Sequence, residues 1–235
     1  MKILPSFIKK LGSDLIDLFY PRLCLGCEGT LRRNESFICL HCYYYLARSG
    51  DFENRENELE KTFQGRLPLK WAAALYRFRK KGRVQNLIHN IKYRGQNEAA
   101  KFIGEEYGRA LKNSALNLPE KIVPVPLHKK KLKERGFNQS TWFAYGIASQ
   151  LGVPVLEDAL KRNVYTETQT KKSRYERWKN VGEIFSLDNP DAIKNCHLLL
   201  VDDIVTSGAT MEACGIKLLE AENVQLSIGV IGKAS

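Results

Sequence analysis

The segment Leu198-Leu199-Leu200-Val201-Asp202-Asp203-Ile204-Val205-Thr206-Ser207-Gly208-Ala209-Thr210 decides how the rest of the chain is read. Its first four residues form a continuous apolar run, short enough for a strand buried on both faces. The strand ends in two adjacent carboxylates, Asp202 and Asp203. A loop of hydroxyl and small residues, Thr206, Ser207, Gly208, Ala209 and Thr210, then enters a helical pattern over 210–219. In open parallel sheets, ligands bind outside the carboxyl ends of the strands. Backbone N–H groups at such a loop and helix start face an anion, and small side chains let it approach closely. A phosphate therefore suits residues 206–210. The two acids would repel it; they suit sugar hydroxyls or Mg2+, which both seek carboxylate oxygen. A sugar beside a phosphate describes a ribose 5-phosphate.

Working outward, strand candidates stand at 71–78, 122–126, 153–160 and 226–231, and helix candidates at 84–91, 99–111 and 138–151. Asn138 is placed to cap the last of these helices, and Gly152 to close it. Strands alternating with helices predict an α/β fold: a parallel sheet flanked by helices, with right-handed crossovers. Residues 70–235 read as that domain. The polar, acidic stretch 49–61 reads as a linker or weakly helical connector, and the linker region as a whole as 49–69. Residues 1–48 hold an amphipathic helix over 3–19 and a module with four cysteines.

The 235 residues carry 37 Lys+Arg against 26 Asp+Glu, a net charge of +11. Three windows concentrate it. Residues 77–94 hold seven basic residues and no acid; 128–135 hold five against Glu134; 161–179 hold seven against Glu167 and Glu176. Charge gathered in this way favours a polyanionic partner, either a phosphate-rich small molecule or nucleic acid. The longest stretch free of charged residues, 136–156, is too polar for hydrocarbon, and Lys9 and Lys10 interrupt the N-terminal apolar run. No membrane span and no secretory signal are expected, and a cytoplasmic location follows.

Cys24, Cys27, Cys39 and Cys42 read C-x2-C-x11-C-x2-C, while Cys196 and Cys214 stand apart as small buried apolar residues. Two such knuckles deliver four thiolates to one Zn2+, a closed and therefore structural shell. Tyr43, Tyr44 and Tyr45 beside the second knuckle would stack on bases or a partner, or pack in the core.

The 198–210 segment resembles the PRPP-binding motif of type I phosphoribosyltransferases. Val123-Pro124-Val125-Pro126-Leu127-His128 through Arg135-Gly136-Phe137-Asn138-Gln139 resembles the ComF family, the competence-protein branch of that superfamily. So do Ile91-Lys92-Tyr93, the block Leu160-Lys161-Arg162 to Phe185 with Gln169, Arg174 and Arg177, and the four-cysteine module. Val164 departs from the family pattern, which has a basic residue there. The resemblance implies a type I phosphoribosyltransferase-like sheet with an N-terminal zinc ribbon. It implies that Asp202 and Asp203 contact ribose, that 206–210 hold the 5-phosphate, and that Val125, Pro126 and Leu127 form the pyrophosphate loop with Arg135 nearby. Residues 163–180, with Gln169, Arg174 and Arg177, would be a mobile flap. Mg2+ would accompany the pyrophosphate, and no general base is assigned, His128 included. Two activities stay open: displacement of pyrophosphate at ribose C1, or binding of PRPP or a nucleotide without turnover, as an accessory in DNA uptake. Single-stranded DNA or a competence helicase would be the macromolecular partner.

Overall fold

Apolar side chains alternate between two faces along every central strand, and this places the sheet between two layers. In the computed structural model, which describes residues 20–54, 56–93, 96–164 and 184–234, Leu199 and Val201 pack into one core and Leu198 and Leu200 into the other. Strands β1 (Leu69–Arg77), β2 (Lys121–Pro124), β5 (His197–Val205) and β6 (Gln225–Lys233) form a sheet in the order β1-β6-β5-β2. Every pairing in it is parallel. The first layer holds α3 (Arg83–Tyr93), α4 (Asn97–Lys112) and α6 (Gln139–Leu151). The second holds α2 (Glu58–Phe63), α7 (Ala209–Leu218) and the antiparallel pair β3 (Leu160–Arg162) and β4 (Phe185–Leu187). Helices α4 and α6 cross so closely that a Cβ on Gly146 would lie 2.0 Å from the Lys101 carbonyl oxygen, a contact only glycine permits.

The helix over 139–151 begins as expected, with the Asn138 side chain accepting from the Ser140 amide, and ends on Gly152 in the left-handed region. The stretch 153–160, expected as a strand, makes only a single bridge between Val155 and Ile122, then turns into β3. Pro154 lacks a donor for a longer ladder, and Glu157-Asp158 turn the chain away. A helix not anticipated, α5 (Lys129–Arg135), follows β2, with His128 as its N-cap. The four-cysteine segment includes α1 (Leu40–Tyr45), and its Leu25, Leu31, Ile38 and Leu46 lie in the same core as Trp71 and Ile103.

Residues 49–69, read as a linker, grip the outer edge of β1. Asp51 Oδ2 accepts from Ala74 N at 2.9 Å and Glu60 Oε1 from Ala72 N at 3.2 Å. Asn57 Nδ2 donates to Ala72 O at 2.8 Å. Side chains thereby occupy the hydrogen-bonding positions that an edge strand would otherwise leave open. The amphipathic helix expected over 3–19 lies outside the described residues. Among those described, no helix is long and apolar enough to cross a membrane.

Candidate functional site

Strand β5 carries the acid pair to the carboxyl end of the sheet, and its alternation separates their surroundings. Asp203 points inward and is 3% exposed. Its Oδ2 takes the Lys92 ammonium at 2.8 Å and the Gln139 amide at 2.8 Å. Asp202 lies nearer the crevice: its Oδ1 accepts from Ser140 Oγ at 2.7 Å and from the Asp203 amide at 2.9 Å. Among the described residues, the hydrogen bonds to Asp202 fall on Oδ1. Burial, and then the neighbouring Asp203 charge, pushes the Asp202 carboxyl up to about 7, against the Ser140 hydroxyl and the Lys92 ammonium.

Arg135, from the end of α5, donates to Gln139 Oε1 at 3.1 Å and lies over the Tyr93 ring at 5.4 Å. Gln139 thus faces Arg135 with its oxygen and Asp203 with its nitrogen, and one amide connects the expected cation to the expected acid. Sequence reasoning gave Lys92, Gln139 and Ser140 no role. Lys92 and Gln139 do fall inside the motifs at 91–93 and 123–139; Ser140, one residue past them, gave no signal.

Thr206, Ser207, Gly208, Ala209 and Thr210 line a pocket of about 60 Å3 together with Asp202. Gly208 has φ +79°, which turns the chain from the loop into α7. Around it Thr206, Ser207, Ala209 and Thr210 are exposed, and no side chain caps the start of α7. Loop and helix start together suit an anion about the size of phosphate.

The other expected positions scatter. Val125 is buried in the core below the sheet end. Its amide donates to Val201 O at 2.9 Å, and its carbonyl accepts from Asn138 Nδ2 at 3.0 Å. It braces β2 against β5 and α6 rather than presenting groups to a ligand. Pro126 and Leu127 line a separate, open pocket with His128, Trp142 and Arg162. Gln169, Arg174 and Arg177 lie outside the described residues.

Cys24, Cys27, Cys39 and Cys42 bring their sulfurs within 4.8 Å of one another. The Cys27 and Cys39 sulfurs are 3.7 Å apart. Four sulfurs about 2.3 Å from a tetrahedral Zn2+ would stand about 3.8 Å apart, so the set fits that ion. Burial pushes the Cys24 thiol up, but the amides of Cys39, Cys27 and Gly26 outweigh it and bring the group down to about 7. Helix α3 holds the first knuckle: Asn86 Nδ2 donates to Gly26 O at 3.2 Å and Asn90 Nδ2 to Leu25 O at 2.9 Å. Tyr43 donates to Glu106 Oε2 at 3.1 Å, while Tyr44 and Tyr45 stay exposed. Cys196 and Cys214 are buried, as expected.

A family model described as "Phosphoribosyl transferase domain" matches residues 138–232, the part of the chain holding the acid pair and the anion loop. The fold is that of a type I phosphoribosyltransferase-like protein, with four clustered cysteines near its N-terminus that are compatible with a zinc ribbon. The DNA utilization protein YhgH of Salmonella typhimurium is 33% identical over 53% of this chain and 56% of its own length, so the chain spans about half of that relative. Competence protein F of Haemophilus influenzae is 26% identical over 87% of this chain and 88% of its own. The chain is thus similar to competence proteins over most of its length and to phosphoribosyl transferase domains over residues 138–232. A glutamine PRPP amidotransferase structure from B. subtilis superposes with a TM-score of 0.39, at 24% identity over 56% of this chain and 26% of its own, too loosely to bear on the site.

Proposed function

We propose that the protein binds PRPP and catalyses Mg2+-dependent displacement of pyrophosphate from ribose C1 by an acceptor nucleophile. The observation that carries this reading is the shared pocket of Asp202 and the loop Thr206–Thr210 at the end of one parallel strand. The 5-phosphate would take the loop amides and hydroxyls, and the ribose hydroxyls the carboxylate of Asp202. Lys92 and Gln139 hold Asp203 in place, and Ser140 fixes the rotamer of Asp202, so the pair is set before ligand arrives. Arg135 would offset charge on the departing pyrophosphate. Mg2+, when bound, would neutralise that pyrophosphate. Zn2+ on the four cysteines would be structural, since a four-thiolate shell leaves no open position. Gln169, Arg174 and Arg177 belong to the proposed flap.

A second reading, favoured by the exposed Tyr44 and Tyr45 and by the names of the relatives, keeps PRPP binding without turnover. The protein would then act in the cytoplasm as an accessory in DNA uptake, with single-stranded DNA or a competence helicase as partner. Thermal denaturation with PRPP and Mg2+ tests the common core. Ligand should stabilise the wild-type chain and leave Asp202→Asn/Asp203→Asn unmoved; equal stabilisation of both refutes the site. Pyrophosphate release on addition of acceptor pools supports the transferase, and binding without release supports the accessory.

A further inference from the structure

Below the anion loop lies a cation that the mechanism above leaves unused. Arg66, just past α2, donates from Nη1 to Ser207 O at 2.8 Å and to Thr62 O at 3.0 Å, and its Nη2 is ion-paired with Glu212. Glu212 belongs to the first turn of α7, where its amide donates to the Gly208 carbonyl at 2.8 Å. A carboxylate there favours the start of the helix. It also stands within one turn of the place a phosphate dianion would take, and repels it. Pairing with Arg66 cancels that repulsion.

The second bond acts on geometry. A trans peptide holds its C=O and N–H antiparallel. With the Ser207 carbonyl drawn onto Arg66, the Gly208 amide of the same peptide is turned to the opposite side, away from Arg66. The loop therefore keeps an N–H directed outward rather than a carbonyl oxygen, which an anion would avoid.

We infer that Arg66 is a positioning residue for phosphate in this loop, orienting the Ser207–Gly208 peptide and neutralising Glu212. The inference rests on the phosphoribosyl reading of the loop. The test is calorimetric titration of the zinc-loaded full chain with ribose 5-phosphate in phosphate-free buffer at low and moderate salt. Arg66→Gln should weaken binding about tenfold, the effect of one uncompensated charge within a helical turn at a protein surface. That deficit should shrink as salt rises. Glu212→Gln alone should tighten binding about threefold, because Arg66 is then unopposed. The double variant should regain the charge part of the loss, a recovery that a merely structural role for Arg66 would not give. Unchanged affinity in Arg66→Gln, or a double variant no better than it, overturns the inference. If Arg66→Gln fails to fold, weaker or unchanged binding by Glu212→Gln does so. A wild-type chain that takes up no ribose 5-phosphate overturns the phosphoribosyl reading instead.

Discussion

Replacing Gly208 by alanine puts the construction of the anion loop to a quantitative test. Gly208 sits at φ +79°, and a Cβ built there would lie 2.9 Å from Phe63 Cε1 and 3.1 Å from Thr62 Cγ2. The backbone conformation alone costs alanine about 1 kcal/mol. Phe63 is 1% exposed and has little room to retreat, so displacing it adds about 2 kcal/mol. The variant should lose about 3 kcal/mol, or about 6–12 °C in Tm for a chain of this size. Gly136 supplies the control: it has the same φ of +79°, and a Cβ there would meet nothing within 4 Å. Gly136→Ala should lose only the conformational part, about 1 kcal/mol. Urea denaturation of both variants, zinc-loaded and with m-values compared, isolates the Phe63 clash as their difference. Equal destabilisation by the two substitutions would refute the close packing of α2 under the loop.

Acidity and metal offer two further tests. The Asp202 carboxyl is held at about 7 in the folded chain, against about 4 when unfolded, so between these values the native state keeps a proton that the unfolded state has lost. Stability should therefore fall as pH rises from about 4 to 7, by at most about 1.4 kcal/mol per pH unit, and level off above. Asp202→Asn should remove that component of the slope; an identical slope in the variant would discard the assignment. Chelation of metal from the reduced chain should release one Zn2+ equivalent, measurable by elemental analysis, and lower Tm by about 10 °C, because the cysteine module shares its core with the sheet. An unaltered melting curve after complete metal removal would contradict a structural role.

The central strands were legible because burial on both faces leaves an uninterrupted apolar run, as in Leu198–Val201, bounded by charged and turn-forming residues. Helix α6 was legible through its cap and its closing glycine. Helix α5 was not: Leu132 is its lone apolar residue, and it is half-exposed, so no hydrophobic period marks it. Its signals were local ones, His128 accepting from the Lys130 amide and Gly136 in the left-handed region. The acidic stretch after Ser49 read as a connector because polar residues suggest solvent, yet Asp51, Asn57 and Glu60 spend their oxygens and amides on an edge strand. Within the site, the acid pair and the hydroxyl loop are contiguous in sequence and could be found there. Arg66 meets Ser207 across 141 positions and Lys92 meets Asp203 across more than a hundred, and no local pattern encodes such a meeting.

Helix α3 carries a consequence beyond its own packing. Its first turns clasp the carbonyls of Gly26 and Leu25 in a cysteine knuckle, and its last turn delivers Lys92 to Asp203 and Tyr93 to Arg135. One rigid rod of eleven residues thus spans from the thiolates to the carboxylates. A change at the exposed Cys27 therefore has a route through this helix to Lys92 and its ion pair with Asp203.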